Sequence, residues 1–159
     1  MKILSFRLLK PLAAAALAAA LCLPAPAGAE KLTTDYFTID MPDSWQRLQD
    51  SSSNTFSISV YSTKNRDTVL TTVIGTNGGA DVATITKSFS QQYRAERISV
   101  KNGQGTFWYT SSAGIESSGY VTVQDANFMV VTVSGSLRKA RVFMKSFSSN
   151  DYADLLPKL

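Results

Sequence analysis

The chain of 159 residues has no histidine, and its single cysteine is Cys22. These two absences exclude a great deal. General-base catalysis near neutral pH leans on His, and nucleophilic catalysis leans on Cys or on a His-activated Ser. Zinc, copper and iron–sulfur sites draw on the same two residues. One cysteine also precludes an internal disulfide, so the fold must stand on its apolar core. Proline is scarce too: only Pro42 and Pro157 lie beyond residue 29.

The start of the chain has the organisation of a secretory signal. Lys2, Arg7 and Lys10 form a positive region, Leu12 to Leu23 is an unbroken apolar run, and Ala27-Gly28-Ala29 supplies small residues for cleavage. The run is short for a membrane span and is followed by Pro24 and Pro26. A lipoprotein signal needs a small residue before its cysteine, and Leu21 stands before Cys22. The expectation is a signal peptide over 1–29, cleaved after Ala29. The mature protein would be periplasmic or secreted by bacterial export, with no transmembrane segment. The remaining 30–159 would form a single α+β domain.

Cleavage changes the charge. The whole chain carries 16 Lys plus Arg against 12 Asp plus Glu, a net of +4. The signal holds three of the basic residues and none of the acidic ones, so the mature part has a net charge of +1. That near balance gives no support to nucleic-acid binding.

Hydrophobic patterning in the mature part alternates between strands and two helices. Tyr36 to Met41 places Phe37, Ile39 and Met41 on one face of a strand, and Pro42 breaks it. Further strands are expected over 55–61, 68–75, 98–100, 106–111, 117–124 and 128–134. Two of these, 68–75 and 128–134, are apolar on both faces and should lie centrally, covered on both sides. Asp81 is a plausible N-cap for a helix of about four turns carrying Val82, Ile85, Phe89 and Tyr93 to near Arg97. Asn102-Gly103 marks a hairpin. A second helix opens at Gly135-Ser136, with Leu137, Ala140, Phe143 (or Met144) and Phe147 on one face. Arg138, Lys139, Arg141 and Lys145 lie largely on the other. The expected architecture is α+β: a mainly antiparallel sheet of about seven strands sandwiched between two main helices.

The opening Tyr36-Phe37-Thr38-Ile39-Asp40-Met41-Pro42-Asp43-Ser44-Trp45 resembles the F-x-I-x-x-P-x-x-W start of the Mog1/PsbP-like fold, including DcrB-like bacterial exported proteins. The closing stretch Val142-Phe143-Met144-Lys145-Ser146-Phe147 resembles that group's terminal helix. The literal motif covers about ten residues, and the element order covers most of the mature chain. What the resemblance implies is the architecture and an accessory or binding role; it carries over no catalytic residues.

Candidate functional residues fall into three groups. Trp108 and Tyr109, within Phe107-Trp108-Tyr109, would form an aromatic binding patch wherever helix cover is incomplete; packing under the helices is the bland alternative. Arg138, Lys139 and Arg141 form a basic stripe suited to an anionic headgroup or acidic partner, or are simply a solvated helix face. Asp35, Asp40, Asp43 and Asp50 fit no calcium-loop spacing and read as solvated. Gly114 to Gly119 lacks the serine placement and the His of a nucleophile elbow. Phe37, Ile39, Pro42, Trp45, Phe89, Phe143 and Phe147 are expected to be structural, with Trp45 as a core plug.

The first functional reading is an exported, non-enzymatic accessory or binding module. It would use no cofactor or metal, act through a surface patch, and meet a protein or envelope component. The second reading is a hydrolase or lyase built on carboxylates, with Glu116, Asp125 or Asp43 as candidates.

Overall fold

The structure is a computed structural model that describes residues 30–159; the expected signal peptide lies outside them. Among the described residues, ten strands make two sheets, accompanied by two α-helices. Strands β1 (Glu30–Thr33), β2 (Thr38–Met41) and β10 (Phe147–Ser148) form a small sheet in the order β1-β2-β10. The main sheet contains β3 (Trp45–Ser52), β4 (Phe56–Thr63), β5 (Thr68–Thr76), β6 (Arg97–Lys101), β7 (Gln104–Thr110), β8 (Glu116–Gln124) and β9 (Asn127–Gly135). Its order is β3-β4-β5-β9-β8-β7-β6, and every neighbouring pair is antiparallel. Helix α1 (Val82–Gln92) follows β5, and α2 (Leu137–Met144) follows β9.

The expected α+β sandwich is the observed one. Strands β5 and β9 pair over nine residues at the centre of the sheet, from Thr68↔Gly135 to Thr76↔Asn127. Period-two alternation sends their apolar side chains to both faces. On one face Val73, Val121, Val130, Phe107 and Phe128 meet Ile85 and Phe89 of α1. On the other, Leu70, Ile74, Met129, Val131 and Val133 meet Ala140, Phe143 and Met144 of α2. The small sheet shares this second face through Leu32, Phe37, Ile39, Met41 and Phe147. The main sheet thus separates two apolar cores.

Several local details differ from the sequence reading. Glu30–Thr33, which lies before the first strand expected from the sequence, is a strand paired with β2, and its Leu32 is buried. Strand β2 begins at Thr38 because Thr34 and Phe37 close a turn: Thr34 N–H donates to the Phe37 carbonyl, and Phe37 N–H to Thr34 Oγ1. Strand β3 was not expected at all. It is an edge strand whose largely polar side chains leave little apolar alternation to read. Helix α1 stops at Gln92, since Arg94 takes a φ of 53° and Arg97 already belongs to β6. Helix α2 stops at Met144, and Phe147 instead pairs with Ile39 in the small sheet.

Two close approaches fix how the helices seat. A Cβ on Gly105 of β7 would fall 1.7 Å from Thr86 Oγ1 of α1, so the missing side chain lets helix and strand meet. Gly135, at the end of β9, has a φ of 98°, and a Cβ there would lie 2.2 Å from the Asp67 carbonyl. Only glycine satisfies both demands, and the chain can then turn into α2 beside the β4–β5 turn.

Candidate functional site

The site grows out of that turn. Lys64-Asn65-Arg66-Asp67 links β4 to β5, with Arg66 at a φ of 60°. Asp67 is its hub. Its carboxylate accepts from Thr63 Oγ1 at 3.0 Å, Asn65 Nδ2 at 2.8 Å and Thr68 Oγ1 at 3.0 Å, and pairs with Lys139 Nζ of α2. The ammonium of Lys139, then these hydrogen bonds, hold the Asp67 carboxyl well below the usual carboxylate range. Ser136 caps α2 by accepting from Lys139 N–H, while its own N–H donates to Thr68 Oγ1 at 3.2 Å. The turn and the start of α2 are therefore one bonded unit.

Beside this unit lies a solvent-open hollow of about 360 Å³. Trp45 and Val142 supply apolar surface, Lys64 and Arg138 supply cations, and Lys139 lines the hollow with its ammonium already paired with Asp67. Trp45 is buried and stacked on Phe143, with ring centroids 4.1 Å apart and planes 9° from parallel. Val142 is 61% exposed, an apolar side chain turned outward next to cations. This arrangement suits an anionic group joined to an apolar one. Lys64 N–H donates to the Ser44 carbonyl, which ties the Trp45 entry loop to the rim.

The sequence-derived candidates do not converge. Arg138 and Lys139 meet at the hollow. Arg141 points elsewhere, donating from Nε to the Leu159 carbonyl at 2.6 Å. Tyr109 is corrected from a surface candidate to a core residue, because α1 covers it: the Tyr93 ring lies 4.7 Å from its own. Burial pushes the Tyr93 hydroxyl up to about 12 and raises that of Tyr109. Trp108 points to the opposite face, half-buried, under the Arg97 guanidinium at 4.2 Å. Phe37, Ile39, Trp45, Phe89, Phe143 and Phe147 are buried, and Pro42 is half-buried.

The carboxylates that a lyase or hydrolase would need are dispersed. Glu116 and Asp125 bracket the nine residues of β8, roughly 30 Å apart at the ordinary strand rise. Asp43, before β3, lies about four strand spacings from Glu116, some ~19 Å. Paired-carboxylate hydrolysis works at separations of about 5–9.5 Å. Among the described residues, no group of three or more acidic side chains gathers as metal ligands. Asp50 is taken up by Ser59 Oγ at 2.8 Å and Arg47 at 3.0 Å. The start of α1 is occupied by Asp81, whose carboxylate accepts from Thr84 N–H.

Sequence reasoning missed Lys64, Asp67 and Val142 as parts of one site. Their convergence is a tertiary contact spanning about seventy residues, which no local spacing encodes.

No family model matches the chain, and no curated protein matches it. Among solved structures it is similar to the solution structure of cyanobacterial PsbP (CyanoP) from Synechocystis sp. PCC 6803. The two are 13% identical, with a TM-score of 0.48, over 80% of this chain and 98% of that one. The likeness concerns the fold alone.

Proposed function

We propose that this protein is an exported, non-enzymatic binding module of the cell envelope, working as one domain over 30–159 after cleavage behind Ala29. The hollow carries this reading: a solvent-open site where Lys64 and Arg138, beside the Asp67–Lys139 pair, flank apolar surface from Trp45 and the exposed Val142. An acidic partner protein or anionic envelope component would place its charge against the cations and an apolar group against Val142. The n-, h- and c-region pattern of residues 1–29 supports export to the periplasm or beyond. No helix among the described residues is long and apolar enough to cross a membrane.

A photo-crosslinking side chain at position 142 tests the reading in intact cells. A discrete adduct is expected, diminished by Arg138→Glu and absent when the crosslinker is placed at the exposed Ile115. The adduct's mass tells protein from lipid. Equal labelling at both positions, or none at 142, overturns the reading. Intact-mass measurement on the envelope fraction should give a chain starting at Glu30; a chain retaining Cys22 with attached lipid overturns the localisation.

A further inference from the structure

Among the described residues, strand β6 ends the main sheet and β7 is its one neighbour there. A two-residue turn with Asn102 at φ 52° and Gly103 at φ 74° joins them, closing on the pair Lys101↔Gln104. In an antiparallel ladder closed this way, Lys101, Ser99 and Arg97 exchange hydrogen bonds with β7, and the intervening residues do not. The N–H and C=O groups of Ile98 and Val100 therefore point outward from the sheet. Their side chains are also open, 50% and 42% exposed on the α1 face. The opposite face of the strand carries Arg97 and Lys101. Arg94 precedes the strand, and the acid beside it, Glu96, is exposed but engaged, accepting from Thr110 Oγ1 at 3.1 Å.

The other end of the sheet is built differently. Strand β3 has a register shift between Arg47 and Gln49, and Arg47 is paired with Asp50 across it. A bulge with charges is how sheets discourage further strands. β6 has a regular register throughout.

We propose that β6 is a docking edge for an extended segment alternating acidic and apolar side chains, which adds to the sheet as an eighth strand. The backbone groups of Ile98 and Val100 supply the ladder. Apolar side chains of the segment fall beside Ile98 and Val100, and acidic ones fall beside Arg97 and Lys101. Arg97 is held over Trp108 at 4.2 Å, so it is already placed. Charge selects this occupant over a second copy of the chain. Two-fold pairing of β6 about Ser99 would set Arg97 of one copy against Lys101 of the other, and like charges directly opposite destabilise a strand pair. This edge lies at the far end of the sheet from the hollow, so the two proposals stand or fall separately.

A blocked peptide of about eight residues, alternating glutamate with valine, is the probe. Amide exchange of the ¹⁵N-labelled protein, with and without peptide, is the readout. The amides of Ile98 and Val100 should slow by about tenfold or more at saturation, and Ser99 should change little. Salt should weaken the effect, because the charged contacts are exposed. The double variant Arg97→Glu, Lys101→Glu keeps the edge and should reverse the preference, losing the glutamate peptide and accepting a lysine–valine one. Unchanged exchange at Ile98 and Val100 with millimolar peptide overturns the proposal. So does equal protection by both peptides. Protection that grows with protein concentration and needs no peptide would make a second copy the occupant, which also overturns it.

Discussion

The two tryptophans have opposite structural positions, and that difference can be measured. Trp45 is buried against Phe143, so Trp45→Ala should cost about 3–5 kcal/mol in a denaturant melt. Trp108 is half-buried with one face under Arg97, so Trp108→Ala should cost clearly less. Equal losses would place Trp108 in the core. A second single-residue prediction concerns acid. The Asp67 carboxyl is held below its ordinary range by Lys139 and by hydrogen bonds from the turn. Its folded value is depressed, so its stabilisation is present above the ordinary carboxylate value and is lost as pH falls toward the folded one. Asp67→Asn should lower the melting temperature at pH 7, and the gap to wild type should shrink below about pH 4. Addition of salt should narrow it too, since both members of the ion pair are half-exposed. A gap that is unchanged from pH 7 to pH 3 would remove Asp67 as the hub of the turn. The Arg138 and Lys139 pair was visible in the sequence as a helix stripe. Asp67 was not, because its partner is distant along the chain.

Elements were legible in proportion to how apolar they are. β5 and β9 announce themselves by carrying apolar residues on both faces, and that pattern put them at the centre where they lie. The Asn102-Gly103 turn was equally plain, because two consecutive positive φ angles favour those residues. β3 escaped because its solvent-facing polar residues do not alternate with buried ones after Trp45. Helix lengths were overestimated, since periodicity in Tyr93 and Phe147 continues past residues that tertiary pairing claims for other elements. The junction of β9 and α2 gives a sharp test at this scale. Gly135→Ala must accept a φ of 98° and a Cβ 2.2 Å from the Asp67 carbonyl. Its expected cost is about 2 kcal/mol or more, with α2 displaced from the turn. In that variant, chemical shifts of Lys64 and Lys139 should move together, and those of β6 should stay. A silent substitution would mean that the close approach is easily relieved.

At the scale of the whole molecule, the sheet is two runs of local hairpins stitched along one seam. β3, β4 and β5 are consecutive neighbours, as are β6, β7, β8 and β9. Only the β5–β9 ladder joins one run to the other. That seam dictates a folding order. Each run closes over short turns and can form quickly, whereas the seam must close the chain across residues 77–126. With β6 to β9 already assembled the open loop is residues 77–96, and closing about 20 residues costs on the order of 2.7 kcal/mol before any seam contact forms. We expect seam closure to limit the rate of folding. In stopped-flow chevrons, Val131→Ala, a truncation buried on the seam strand, should slow refolding. Asn102→Ala, in a local turn, should instead act mainly on the unfolding limb. A chain delivered unfolded across a membrane would then spend its slowest moment as two half-sheets, each with its most apolar strand at an open margin.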